Sequence, residues 1–277
     1  MTSTTYLENI GIIGLGRMGR CVVKGLLETC EYQKDQIYFT TKHDETGKAV
    51  EKELGIKLAK TNEALVACSA TIILAVKPQN MGEVIKEIGP KIDSSRTVVS
   101  IAASISTSQI EEKLGKDVSV IRAMPNTPAF VREAITALCM GTHAKERDWD
   151  RVVSIFKHIG RVVKVDERYM NAVTGLSGCG PAYIYVVMES LTDAGIKVGL
   201  PRDLAIQLSA QTVLGAAKML LETGRHPAAL KDDVTTPAGC TIDGLLELEE
   251  GGLRRTMIKA VVQATERAES LSKLAKI

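Results

Sequence analysis

Two short stretches of the chain place ligand-holding residue types at spacings with a defined physical use. Gly14-Leu15-Gly16-Arg17-Met18-Gly19 has the spacing G-x-G-x-x-G, directly after the apolar run Ile10-Gly11-Ile12-Ile13 and at the start of a helical pattern. In that setting the first glycine permits a tight turn, the second lets backbone approach a diphosphate, and the third lets helix and strand pack closely. The helix start then turns free amide groups toward an anion. Taken alone such glycines also serve ordinary turn geometry; between a strand and a helix they point to a dinucleotide. Ile13, Gly14, Leu15, Gly16, Arg17, Met18 and Gly19 are the expected contacts. The next strand ends Phe39-Thr40-Thr41-Lys42, without the carboxylate that commonly holds the ribose hydroxyls of NAD. Hydroxyls and an ammonium at Thr40, Thr41 and Lys42 suit a 2′-phosphate, so NADPH is expected, with NADH as the alternative. Asp35 stands before that strand, where it suits a turn.

The second stretch is Thr235-Thr236-Pro237-Ala238-Gly239-Cys240-Thr241. A threonine before a proline is an N-cap pattern, so a helix is expected to begin at Pro237 with the amides of Ala238, Gly239 and Cys240 pointing outward. A carboxylate would find donors there, with the hydroxyls of Thr236 and Thr241 beside them. A cap that satisfies only its own backbone is the competing use of the same pattern.

These stretches need elements to position them. Strand-like runs at Ile10–Ile13, Gln36–Thr40, Thr71–Val76, Thr97–Ala102 and Val118–Met124 alternate with helical patterns at Met18–Cys30, Glu45–Leu54, Met81–Ile88 and Thr107–Leu114. Ile135–Met140 and Arg161–Val165 add two strands around a helix over Lys145–Ile159. Such alternation predicts an α/β fold with a doubly wound parallel sheet covered on both faces, a Rossmann-type domain over 1–165. After Asp166 only helical patterns remain, at Tyr183–Val198, Leu204–Leu221 and Leu253–Leu271, so 166–277 is expected to be all helical. Leu204–Leu221 is apolar almost all round and must be enclosed, most simply by a partner subunit.

Composition bounds the rest. The chain has 277 residues, 45% hydrophobic and 25% charged, as in ordinary globular proteins. A net charge of +2 argues against nucleic acid as a partner. Six cysteines, with no C-x-x-C pair and no histidine at ligand spacing, argue against a zinc site or a disulfide framework. No leader-like N-terminus and no uninterrupted apolar run of about 18 residues is present, so a cytoplasmic protein without a membrane partner is expected.

Beyond the glycine loop, Ala75-Val76-Lys77-Pro78-Gln79, Ser100-Ile101-Ala102-Ala103, Arg122-Ala123-Met124-Pro125-Asn126-Thr127-Pro128, Gly175-Leu176-Ser177-Gly178-Cys179-Gly180-Pro181-Ala182-Tyr183 and Thr235–Ile242 follow in order. Together they resemble the pyrroline-5-carboxylate reductase family over about residues 10 to 271. The resemblance implies a Rossmann domain, a helical dimerisation domain, and hydride transfer from NAD(P)H to a cyclic imine, giving proline. It places Asn62, the loop Ala75, Val76, Lys77 and Pro78, and the turn Ala102-Ala103 along the cofactor, with Thr40 near the adenosine ribose. It places Glu167, Thr236, Gly239, Cys240 and Thr241 at the substrate. Hydride transfer to a C=N bond also needs a proton at the nitrogen, and Thr241 is the candidate catalytic hydroxyl, touching the ring nitrogen and relaying that proton. The resemblance also implies a homodimer through interleaved C-terminal helices, or a larger homo-oligomer, with one site drawing on two chains.

The family's usual G-S-G and P-G-G read Gly178-Cys179-Gly180 and Pro237-Ala238-Gly239 here; Ala238 is expected at helical angles. One rival is a β-hydroxyacid dehydrogenase, disfavoured because its catalytic lysine position holds Ile184. Another is a non-catalytic dinucleotide-binding paralogue, against which Thr236, Gly239 and Thr241 speak. His43, His143, His158 and His226 lie in scattered polar contexts that suit surface or capping roles.

Overall fold

The computed structural model of the chain describes residues 9–275 and 277, apart from residue 116. Eight strands form one sheet: β1 (Ile10–Ile13), β2 (Ile37–Thr40), β3 (Lys57–Leu58), β4 (Thr71–Leu74), β5 (Thr97–Ser100), β6 (Ser119–Met124), β7 (Ala134–Met140) and β8 (Gly160–Lys164). Their spatial order is β3-β2-β1-β4-β5-β6-β7-β8. The chain winds outward from β1 to β3 on one side and from β4 on the other, so the order reverses between β1 and β4. Ile10 pairs with both Ile37 of β2 and Thr71 of β4, all parallel.

Side chains alternate between the two faces of the central strands, and both faces are covered. Ile10, Ile12, Ile73, Val99 and Ile121 join α1 (Arg17–Glu28) and α6 (Glu146–Lys157) through Val22, Leu26, Val152, Ile155 and Phe156. Ile13, Ile72, Leu74, Val98 and Val120 face the other way. They join α3 (Asn62–Cys68), α4 (Pro78–Ile88) and α5 (Thr107–Leu114) through Leu65, Met81, Ile85, Ile110 and Leu114. α2 (Asp44–Leu54) lies between β2 and β3 in the chain and ends at Gly55, whose φ is +72°.

The sheet is mostly parallel, with one exception: β7 runs antiparallel to β6 and parallel to β8. The connection over 125–133 is too short for a helical crossover, which needs about a dozen residues. It holds a 3-10 turn, Thr127–Val131, that reverses the chain. Asn126, almost fully buried, pins this corner: its Oδ1 accepts from Ile135 N and its Nδ2 donates to Ser177 O, both at 3.1 Å. β3 and α3 were not expected, since two residues and seven residues are too short to show a period.

After β8 come a short helix, α7 (Met170–Val173), and a π-helical turn over Thr174–Gly178. The chain divides into two compact units, residues up to 178 with 264–277, and residues 179–263. In the second unit α8 (Gly180–Lys197) and α9 (Arg202–Thr223) form a helical hairpin, followed by α10 (Pro227–Val234), α11 (Cys240–Glu250) and the start of α12 (Leu253–Leu274). His226 caps α10, its Nδ1 accepting from Ala228 N at 3.2 Å. By length and composition α9 is apolar enough to cross a bilayer, which the sequence did not lead one to expect. Leu204, Ile206, Leu208, Leu214 and Leu221 of α9 are all exposed.

The helix expected from Pro237 starts later, at Cys240, with Gly239 as its N-cap. Gly239 N donates to Thr236 O at 3.0 Å, closing a β-turn around Pro237 and Ala238. Proline suits the second place of such a turn as well as the first place of a helix, so the sequence pattern fits both. Nor does Ala238 take helical angles. Its φ is +57°, the left-handed region, at a cost of about 1 kcal/mol relative to the glycine usual there.

Gly160 opens β8 at φ +145°, and a Cβ there would stand 2.8 Å from the carbonyl carbon of Ala134. Gly160→Ala is expected to cost at least about 2 kcal/mol, read as a lower midpoint in chemical denaturation.

Candidate active site

The reversal of strand order between β1 and β4 leaves a crevice beyond the carboxyl ends of the strands, the usual ligand position in such sheets. A cleft of about 600 Å³ lies there. Its walls are the end of β1 and the following turn (Ile13, Gly14, Leu15, Gly16), the end of β2 (Thr40, Thr41, Lys42), Asn62 of α3, and Ala75, Val76 and Lys77 after β4. Arg17, Met18, Gly19, Pro78, Ala102 and Ala103 lie outside this lining. Arg17, Met18 and Gly19 form the first turn of α1, and Pro78 is the first residue of α4. Ala102 is buried after β5.

The turn is built for close approach. Gly14 has φ +84°, and the amides of Gly14 and Leu15 both donate to Thr40 O, at 3.2 and 3.4 Å. A Cβ on Gly19 would lie 3.3 Å from Leu15 Cδ1 and 3.4 Å from Ala75 Cβ, so α1 is packed tightly against this turn. A Cβ on Gly16 would meet nothing within 4 Å; the space belongs to the cleft. No side chain caps α1, and no acidic residue lies in its first turn. An uncapped helix start beside an open crevice fits a diphosphate.

α4 contributes a wall that sequence reasoning missed. Asn80, Glu83, Val84 and Glu87 all line the cleft, as do His43 and Thr46. The four α4 positions follow the spacing i, i+3, i+4, i+7, so one helical face was there to be read. Asn62 sits in the middle of a chain of bonds: Thr40 Oγ1 donates to Asn62 Oδ1 at 2.6 Å, and Asn62 Nδ2 donates to Glu87 Oε2 at 2.7 Å.

Glu167 is held in the first unit by donors from three elements. Arg122 Nη1 of β6 donates to its Oε1 at 2.5 Å. Its Oε2 accepts from Thr107 N at 3.2 Å and Thr107 Oγ1 at 3.0 Å, at the start of α5, and from Cys139 Sγ of β7 at 3.5 Å. Burial, with the Glu167 charge beside it, pushes the Cys139 thiol up to about 12, so it stays protonated and unreactive at neutral pH. Arg122 is 4% exposed and leaves Nε and Nη2 without partners, so Glu167 is the counter-ion of a buried cation.

Thr236, Gly239, Cys240 and Thr241 belong to the second unit. Gly239 caps α11 with no side chain on its amides, and Cys240 and Thr241 are its first two residues. The loop therefore brings two free helix amides and two threonine hydroxyls into one short segment.

Residues 167–271 match the family model described as pyrroline-5-carboxylate reductase dimerisation, and residues 9–104 match one described as NADP oxidoreductase, coenzyme F420-dependent. A pyrroline-5-carboxylate reductase of Arabidopsis thaliana is 41% identical over 95% of this chain and 95% of its own length. The Escherichia coli enzyme of that name is 38% identical over 96% of this chain and 99% of its own. The chain belongs to the pyrroline-5-carboxylate reductase family. The solved structure of the Coxiella burnetii reductase superposes with a TM-score of 0.90 at 35% identity, covering 96% of this chain and 98% of that one. The Plasmodium falciparum pyrroline carboxylate reductase, solved with NADP bound, gives a TM-score of 0.86 at 31% identity, with 96% and 98% covered.

For this family member, the open space over Gly16 separates binding from stability. Gly16→Val is expected to leave the thermal midpoint within a few degrees of wild type while weakening dinucleotide affinity at least about tenfold, measured by calorimetry. Glu167→Gln is expected to cost roughly 2–3 kcal/mol, because it strands the Arg122 charge. The loss stays below that of a wholly buried pair since Glu167 is 33% exposed. Denaturant unfolding measures it.

Proposed function

We propose that the chain reduces 1-pyrroline-5-carboxylate to L-proline, the last step of proline biosynthesis, with NADPH as reductant and NADH as the alternative. The observation that carries the reading is the crevice at the strand-order reversal, where α1 starts uncapped and Gly16 leaves open space, in a chain alike to named reductases along nearly its whole length. The bound nicotinamide supplies the hydride that the imine carbon receives. Residues of the chain do the rest. The turn at Ile13–Gly19 holds the diphosphate. Thr40, Thr41, Lys42 and Asn62 hold the adenosine ribose end, and the loop Ala75–Pro78 with Ala102 and Ala103 flanks the remainder.

In this reading the amides of Cys240 and Thr241 bind the substrate carboxylate, with the Thr236 hydroxyl and Gly239 shaping the turn around it. Glu167 belongs to the substrate side by anchoring the start of the 166–277 segment, which we take as the functional second domain beside 1–165. The Thr241 hydroxyl orients the ring nitrogen and relays a proton to it from solvent, taking one up as it gives one, as the carbon gains the hydride, so the C=N bond becomes an amine. Positioning of the two partners supplies much of the rate.

The exposed apolar side chains of α8 and α9 support a homodimer through the C-terminal helices, or a larger homo-oligomer. Six free cysteines suit the reducing cytoplasm.

Mixing the protein with pyrroline-5-carboxylate and NADPH, and separately NADH, is expected to give a falling nicotinamide absorbance. A flat trace with both would leave a dinucleotide-binding module without this activity. Thr241→Ala is expected to lower turnover by roughly 100-fold. Unchanged turnover and unchanged substrate affinity would remove Thr241 from the mechanism.

A further inference from the structure

The end of β2 carries no carboxylate, yet the fold supplies one at the same place from another element. Glu87, in the last turn of α4, accepts from Asn62 Nδ2 at 2.7 Å, while Asn62 Oδ1 accepts from Thr40 Oγ1 at 2.6 Å. All three residues line the cleft. A carboxylate can only accept, so Glu87 fixes the Asn62 amide with nitrogen toward α4 and oxygen toward Thr40. The Thr40 hydroxyl proton is thereby spent on Asn62. What these three residues offer a ligand is the lone pairs of Thr40 and Glu87 and one remaining Asn62 N–H. Lone pairs receive ribose hydroxyls, which donate; a 2′-phosphate brings only acceptors and meets the charge of Glu87.

The opposite charge stands next to it. A second cavity, of about 660 Å³, shares Thr40, Thr41, Lys42, Asn62 and Glu87 with the cleft and adds Lys48 and Lys60 to its wall. Glu51, also on that wall, has its Oε1 engaged by Leu58 N at 3.1 Å. The lysines draw a 2′-phosphate in, and Glu87 opposes it.

We propose that Glu87 is the residue that sets cofactor selectivity here: its charge, and its hold on Asn62, keep the adenosine end able to accept NADH beside NADPH. The proposal rests on the dinucleotide reading of the cleft. It differs from a simple 2′-phosphate site at the end of β2, because the deciding group comes from α4 and acts against the phosphate.

Titration calorimetry of the full chain with NADPH and with NADH gives the ratio of the two affinities. Glu87→Gln, isosteric and uncharged, is expected to move that ratio toward NADPH by roughly fivefold to tenfold, with a larger change at low salt than at high salt. Glu87→Ala, at an exposed helix position, is expected to move it the same way, and Lys60→Gln the opposite way. A purely structural role for Glu87 weakens both nucleotides alike. An unchanged ratio in both Glu87 variants therefore overturns the proposal and leaves the dinucleotide reading standing. Failure of the wild-type chain to bind either nucleotide overturns the reading and the proposal together.

Discussion

The close approach of α1 to the end of β1 is the constraint on which the cleft depends. Between Ile13 and Arg17 the chain must leave the sheet, reverse, and start a helix with three residues in hand. Gly14 at φ +84° makes the reversal, and Thr40 O ties it down by accepting two successive amides. That double bond of turn to strand also fixes where β2 ends. Thr40 and the residues after it are thereby brought to the same crevice as the glycines. A Cβ at Gly19 would stand 3.3 Å from Leu15 Cδ1, so a larger side chain there would crowd the contact between α1 and the turn. One turn thus sets the uncapped start of α1, the position of the end of β2 and the packing of the first layer.

A second anchor ties the sheet to the short segment that follows β8. Arg122 is buried on β6 with two nitrogens lacking partners, so its charge needs a counter-ion. Glu167 provides it from outside the sheet and takes the start of α5 and the Cys139 thiol as further donors. The consequence is directional. A residue placed at the substrate by family likeness spends its carboxylate on holding β6, β7 and α5 to the beginning of the C-terminal segment.

The mostly parallel sheet, its strands other than β3, and the glycine turn were legible because each rests on local chemistry: apolar runs of strand length, helical periods, and a spacing with a defined physical use. What was not legible depended on length or on partners far away in sequence. β3 and α3 are too short to show a period. The reversal at β7 follows from the brevity of 125–133, which a reading by strand and helix alternation passes over. Pro237 fits a helix start and a turn equally well, and only the bond from Gly239 N to Thr236 O decides between them. The α4 wall is a different case: Asn80, Glu83, Val84 and Glu87 sit on one helical face in plain view. Only the fold shows that this face, polar and apolar together, borders the crevice and not bulk water.

α9 poses the question of what solvent its apolar sides require. A helix without a polar face must be covered, by lipid or by protein. The stretch free of charge runs from Leu204 to Ala217, bounded by Arg202 and Asp203 on one side and Lys218 on the other. At 1.5 Å per residue those 14 residues span about 21 Å, well short of the ~30 Å hydrocarbon layer. Within it Gln207, Ser209, Gln211 and Thr212 would each have to be satisfied in lipid. Gly195 and Ala205 let α8 and α9 pack with little between them: a Cβ on Gly195 would lie 3.0 Å from Ala205 Cβ. The pair therefore presents a broad, mixed apolar and hydroxyl surface. Such a surface suits burial against protein, where polar groups find partners at short range, and so favours the subunit contact proposed for this segment.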